Sequence, residues 1–308
     1  MKLQIILFVI LFLSLQNTLL AKEPIEPIPE HVKVDARKVA LGKKLFFDTL
    51  LSKDNTISCA SCHMLQAGGD DNLRVSFGIK GQQGTRNAPT VYNSVFNFRQ
   101  FWDGRAADLK EQAMGPVENP VEMGNSFANL IATLQKTPYK QEFTKLYKDG
   151  ITKENIADAI AEYEKTLITP NAPFDRYLKG DVTALTQTQK EGYELFKAKG
   201  CISCHHGVNI GGNMYNKFGI FLDSNSSDPG RYNVTHKERD KYYFKVSSLR
   251  NIAQTAPYFH DGRTDSLRIA VLTMAKYQLG RKITLAEVDK IVAFLQSLNG
   301  ELPKDIEP

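Results

Sequence analysis

Cysteine occurs four times in this chain, always within one repeated pentapeptide: Cys59-Ala60-Ser61-Cys62-His63 and Cys201-Ile202-Ser203-Cys204-His205. Two thiols at this spacing can bond to porphyrin vinyl groups while the adjoining His is delivered to the iron. Cys-x-x-Cys-His is the attachment signature of c-type haem. A disulfide or a zinc site would account for each cysteine pair, but not for the His that follows it both times. Zinc would also want further ligands at finger-like spacing. Two motifs with no cysteine left over predict two covalently bound haem c groups.

The iron in such a site needs a second axial group only if it is to be six-coordinate, and electron-transfer sites commonly use Met. Met64, Met114, Met123, Met214 and Met274 are available. Met274 stands on the apolar segment 267–279, where a helix can carry it over the second haem. Core filling is the competing reading, and spacing alone does not choose between them. The corresponding segment of the first half carries Gln112, Ala113 and Met114, and then Gly115-Pro116-Val117-Glu118-Asn119-Pro120-Val121-Glu122-Met123. Gly and Pro are expected to break this helix into a loop that holds two carboxylates. A carboxylate beside an open iron position can take a proton from one peroxide oxygen and return it to the other. Solvated loop charges are the plainer alternative for Glu118 and Glu122.

The elements that must position these groups read as helices. Val34 to Phe47 has a broad apolar face and runs into the first motif. Asn125-Ser126 and Thr152 are N-cap candidates for Phe127–Leu134 and Lys153–Leu167. Thr186 opens a helix through Gln189 to Lys197, just before the second motif. Thr284 with Glu287 forms a capping box for a closing helix through Leu298. The stretch Asn209–Tyr243 reads as long loop, and strand-like alternation is nearly absent. The fold class expected is mostly α: two cytochrome-c-like haem domains packed against each other, with long loops.

An internal repeat supports two such halves. Leu41-Gly42 to Phe46 is echoed by Gly192 to Phe196, the pair Arg86-Asn87 by Arg250-Asn251, and Phe101-Trp102-Asp103-Gly104-Arg105 by Phe259-His260-Asp261-Gly262-Arg263. A helical insert is expected at about 125–180 in the first half. The domains are drawn at 22–180 and 181–308.

Residues 1–21 have the order of a secretory signal: Lys2, an apolar core from Ile5 to Leu13, a more polar stretch and a cut after Ala21. That core is too short to span a bilayer, which takes roughly 20 residues, and no membrane span is expected further on. Covalent haem attachment outside the cytoplasm agrees with a periplasmic address. Net charge is +5 over the full sequence, too small and dispersed to suggest nucleic acid.

The two haem motifs, Arg86-Asn87-Ala88-Pro89-Thr90, Phe101-Trp102-Asp103-Gly104-Arg105-Ala106, Gln112 with Asn119–Met123, and Thr255-Ala256-Pro257-Tyr258-Phe259-His260-Asp261-Gly262 together resemble the bacterial dihaem cytochrome c peroxidase family over nearly the whole chain. The resemblance implies a low-potential peroxidatic haem on His63 and a high-potential haem on His205 and Met274. It implies Glu122 as acid–base with Gln112 in the same pocket, and Trp102 between the haems on the electron path. It also implies one calcium at the domain interface, held by Asn87 and by the carbonyls of Thr255 and Pro257, hard oxygen ligands that suit this ion. His260 is expected to hydrogen-bond near the second haem without ligating it.

One departure stands out. Many members carry a distal His before Arg-Asn-Ala-Pro that blocks the peroxidatic iron, whereas Ile79 occupies that place here. Ile cannot ligate iron, so the first site is expected to be open already in the oxidised protein. The activity implied is reduction of hydrogen peroxide to water with electrons from a small redox protein, a monohaem cytochrome c or a cupredoxin. The resemblance also implies a possible homodimer. The rival expectations are a dihaem electron carrier without catalysis and a dihaem oxidase that matures a quinone cofactor. Met274, where the latter would have Tyr, disfavours the oxidase.

Overall fold

The computed structural model describes residues 23–224 and 226–308; the export signal read at 1–21 lies outside the described residues. The helices are α1 (Ala36–Phe47), α2 (Cys59–Cys62), α3 (Leu109–Glu118), α4 (Phe127–Leu134), α5 (Tyr139–Leu146), α6 (Lys153–Glu164), α7 (Pro173–Leu178), α8 (Gln187–Lys199), α9 (Tyr232–Thr235), α10 (Leu267–Thr273) and α11 (Leu285–Gln296). Two short strands, β1 (Tyr215–Lys217) and β2 (Tyr243–Lys245), pair antiparallel across the stretch read as loop. The caps fall as expected. Ser126 and Thr152 accept from the N–H groups of Asn129 and Asn155, and Thr186/Gln189 and Thr284/Glu287 form reciprocal boxes.

Each half is built on one helix crossing, and a glycine permits it. A Cβ on Gly42 of α1 would lie 1.8 Å from the carbonyl oxygen of Ala159 in α6. One on Gly192 of α8 would lie 1.9 Å from that of Lys290 in α11. Only a residue without a side chain lets the two backbones approach so closely. The insert expected over 125–180 is therefore smaller. α6 is the closing helix of the first haem unit, the counterpart of α11, and only α4 and α5 intervene.

The repeat also has a different register. The offset of 158 residues from Trp102 to His260 takes Asn93, not Asn87, to Asn251. Asn93 and Asn251 have φ of 60° and 58° and each opens a short 3-10 turn. Both donate their side-chain amides to Thr169 Oγ1, at 2.8 and 2.9 Å, on the line between the halves. The Arg86-Asn87 echo is a coincidence of residue type, because its backbone and partners differ.

The ends of the chain tie the halves together. Ile25 is buried in the second core, and Arg250 Nη2 donates to the carbonyl of Glu26 at 2.9 Å. At the other end, Ile306 packs against the first half. α7 lies before the division drawn at residue 180, yet Phe174 packs on Tyr193 and Phe294 of the second core. Asp175 of the same helix pairs with Arg250 at 2.6 Å, both fully buried.

Candidate active site

Each Cys-x-x-Cys-His motif faces its own cavity. The first, of about 760 Å³, is lined by Cys59, Cys62 and His63 together with Gln112, Pro116 and Glu122. The second, of about 240 Å³, is lined by Cys201, Cys204, His205 and Met274.

The two histidines are held alike. His63 Nδ1 lies 3.1 Å from the Gly69 carbonyl and His205 Nδ1 lies 3.3 Å from that of Ile210. A carbonyl partner fixes Nδ1 as the protonated nitrogen and leaves the Nε2 lone pair for a metal. Burial pushes His63 below its ordinary value and His205 down to about 4, so both rings are neutral, as a ligand must be. Burial raises the Cys62 and Cys201 thiols to about 11, an environment made for neutral sulfur. No disulfide joins the four cysteines. Paired sulfurs, a free imidazole nitrogen and a cavity beside them fit haem c at both places.

Opposite His63 the helix is not broken where Gly115-Pro116 predicted. α3 runs on to Glu118 with Pro116 inside it. The ring removes one helical donor, but the carbonyls at the helix end are recovered outside. Met123 N donates to Pro116 O at 3.2 Å and Asn125 N to Val117 O at 2.9 Å. This separates the two carboxylates. Glu118 is on the helix surface, paired with Lys153 at 2.8 Å, and the plainer reading holds for it. Glu122 is in the following turn and lines the cavity. Burial raises its pKa, against the Arg105 guanidinium and the Asn119 amide, which donates to Glu122 Oε1 at 2.6 Å. A carboxyl raised in this way is a better proton acceptor than an ordinary carboxylate, and so suits acid–base work.

Ile79 does not enter this cavity. It is 5 % exposed, its side chain lies under Gly124, and its N–H donates to the Glu122 carbonyl at 2.8 Å. The loop that could bring a ligand to the iron is instead pinned to the backbone of the carboxylate residue by an apolar plug.

Met274 opens a π-helical segment, Met274–Gln278, that continues α10. Such widened turns are frequent at functional sites because they redirect one side chain. Here Met274, Ala275 and Gln278 line the same cavity as the His205 motif.

One wall belongs to both cavities. Asn87, Ala88, Pro89, Thr90 and Trp102 line the first and the second alike. Trp102 Nε1 donates to the Asn87 carbonyl at 2.9 Å, and the Trp102 carbonyl accepts from Lys245 N at 2.7 Å. Its neighbour Phe101 has φ of 67°, as Phe259 before His260 has 72°. Bulky residues adopt this conformation only when the surroundings impose it, and in both halves it sets the residue that follows. His260 stacks on Phe244 at 4.2 Å, meets Ser226 Oγ at 3.1 Å and presents its ring edge-on to Trp102 at 6.2 Å.

Asn87, Thr255 and Pro257 all line the second cavity. Asn87 Nδ2 donates to Leu73 O at 2.9 Å, which leaves Oδ1 for a cation. Among the described residues, no group of three or more His, Cys, Asp or Glu could hold a metal ion. Asp70, a residue the motifs did not single out, lines the same cavity, and its buried carboxyl is raised to about 7 by burial and by Asp71. Three other residues were missed. Arg105 acts on Glu122. Glu164 lines the first cavity, buried, with Oε2 unpartnered and its pKa raised to about 8. Lys245 lines the second. Arg105 stands in the repeated Asp-Gly-Arg turn, which carried no assigned role for it; for Glu164 and Lys245 the sequence offers only a charge among largely apolar neighbours.

Residues 36–183 match the family described as di-haem cytochrome c peroxidase, and residues 189–299 match cytochrome c. The chain is 53 % identical over 285 residues to cytochrome c peroxidase Ccp of Escherichia coli (strain K12), covering 90 % of this chain and 61 % of that protein. It is 49 % identical to cytochrome c551 peroxidase of Nitrosomonas europaea, covering 92 % of this chain and 86 % of that one. The chain thus spans less than two thirds of the E. coli relative's length. Among solved structures, a MauG-like protein associated with microbial copper homeostasis superimposes with a TM-score of 0.78 at 26 % identity, over 92 % of this chain and 96 % of the other.

Proposed function

The chain belongs to the di-haem cytochrome c peroxidase family, and from that premise we propose that it reduces hydrogen peroxide to water with electrons from a small redox protein. The observation that carries this reading is the asymmetry across a shared wall. One Cys-x-x-Cys-His cavity faces a buried carboxyl, Glu122. The other faces a thioether, Met274.

Haem c, when bound at each motif, supplies the iron and the electron transfer that cleave the oxygen–oxygen bond. The chain's residues do the rest. Cys59, Cys62 and Cys201, Cys204 anchor the porphyrins, and His63 and His205 supply the proximal nitrogens. Met274 would supply the second ligand at that site, a soft thioether that favours ferrous iron. Gln112 orients peroxide in the first cavity. Glu122 takes a proton from one peroxide oxygen and returns it to the departing one, and Asn119 holds the carboxylate in line. Trp102 is the aromatic wall that electrons cross between the sites. Ile79, which has no ligating atom, would leave the first site open in the oxidised protein.

Calcium suits Asn87 Oδ1 and the carbonyls of Thr255 and Pro257, with Asp70 supplying negative charge to the same wall. The donor, a monohaem cytochrome c or a cupredoxin, docks over the second site. Exposed Ile220, Phe221 and Leu222 support this, because Phe221 N donates to Tyr277 O at 3.0 Å, on the segment that carries Met274. Covalent haem attachment supports a periplasmic address, and among the described residues no helix is long and apolar enough to cross a membrane.

The test is peroxide turnover with a reduced cytochrome in the native protein and in Glu122→Gln. A loss of about 10²–10⁴-fold with both haems retained is expected. A non-catalytic electron carrier would show negligible turnover in both.

A further inference from the structure

Lys245 closes β2 deep in the molecule. It is 93 % buried (7 % exposed) and lines the second cavity but not the first. Among the described residues, its ammonium has no hydrogen-bond acceptor and no carboxylate within ion-pair distance; Lys217, which lines the same cavity, is exposed to solvent, and three other buried or cavity-lining cations are served. Arg250 has Asp175 at 2.6 Å, Arg86 has Asp103 and Asp228, each at 2.6 Å, and Lys199 has Glu287 at 2.7 Å. An unpaired ammonium in an apolar cavity is costly, and the bare protein depresses its pKa to about 8 through burial alone. An anion brought by whatever fills the cavity would offset that cost and keep the group charged. The cavity is the one whose Cys201, Cys204 and His205 fit haem c, and haem carries two propionate carboxylates.

We infer that Lys245 is a haem-binding residue that pairs with a propionate of the C-terminal haem and places a fixed positive charge beside that haem. This rests on the reading of the second cavity as a haem site. The position is set by backbone as well as by charge. Lys245 N donates to the Trp102 carbonyl at 2.7 Å, so the residue that holds the propionate is bonded to the residue that forms the shared wall. Strand pairing with β1, Lys245 opposite Tyr215, fixes its register. The chemical consequence follows from sign. Reduction adds a negative charge to the haem, and a nearby cation favours the more negative state. Lys245 thus raises the potential of the C-terminal haem relative to the N-terminal one, reinforcing the direction set by Met274.

The experiment is a spectroscopic redox titration of the holoprotein and of Lys245→Met, Lys245→Gln and Lys245→Arg, with haem content counted in each. Loss of the charge in Lys245→Met and Lys245→Gln is expected to weaken reduction of the C-terminal haem about tenfold, which is about 59 mV for a one-electron couple. Lys245→Arg should titrate like the native protein, and the N-terminal haem should be unmoved. Lys245→Gln keeps a polar chain and decides the matter even if Lys245→Met does not fold. A native C-terminal midpoint in Lys245→Gln, or an equal fall in Lys245→Arg, overturns the inference. A native protein with one haem overturns instead the reading on which it rests.

Discussion

The two halves of this molecule share a scaffold and differ in what they place opposite the histidine. Both use a glycine-permitted helix crossing, a carbonyl-oriented His and a left-handed Phe that sets the next residue. At the equivalent positions one half then has Trp102 and the other His260. Across the cavities one has a carboxyl on a turn and the other a thioether on a π-helical segment. The lesson is that the scaffold fixes iron placement, while chemistry is decided by a few residues on the segments after the Asp-Gly-Arg turns.

The comparison can be broken most severely at what is shared. Gly42→Val and Gly192→Val should each unfold their own half, because the added carbons meet backbone oxygens that cannot retreat. Overpacking commonly costs about 1–3 kcal/mol, and a backbone clash this close should cost at least that much. Haem retention and thermal unfolding would show it, and stable native-like variants would contradict the crossing. Met274→Leu removes the difference from the second half. Its haem should become high-spin and lose its ready reduction by the donor, while the first haem's spectrum stays unchanged. Ile79→His tests the opposite conversion. If the loop can leave Gly124 and Glu122, oxidised protein should gain a second low-spin haem, and its first-turnover rate should fall until it is reduced.

A smaller effect is expected at Arg105. Its guanidinium lowers the Glu122 pKa, so Arg105→Gln should raise that value further. The base form needed to accept the peroxide proton is lost as pH falls through the folded pKa. The acid limb of kcat/KM should therefore move to higher pH by less than one unit, with the plateau little changed. A shift to lower pH would contradict the assignment. The smallest effect is expected at Phe221→Asp, which should raise the donor's KM several-fold and leave peroxide's unchanged.

Much of this was legible in the residues. The haem motifs and the caps at Ser126, Thr152, Thr186 and Thr284 are local patterns, and local patterns survive folding; Glu122 was singled out from Glu118 only by the family resemblance. What escaped depends on distant partners. Pro116 stays helical because Met123 and Asn125 supply donors to carbonyls at the helix end. Asn93 matches Asn251 through Thr169, 76 residues away from Asn93. α6 closes the first unit because Gly42 admits Ala159. Lys245, Asp70 and Glu164 are charged types that sequence places on surfaces, and only the packed cavities reveal their burial.

The central claim is that one iron is capped by protein on both sides and the other on one side only. An electron paramagnetic resonance spectrum of the fully oxidised holoprotein tests it directly. The account predicts one low-spin signal from the His205–Met274 haem and one high-spin signal from the His63 haem. Two low-spin haems, with no high-spin signal, would contradict it.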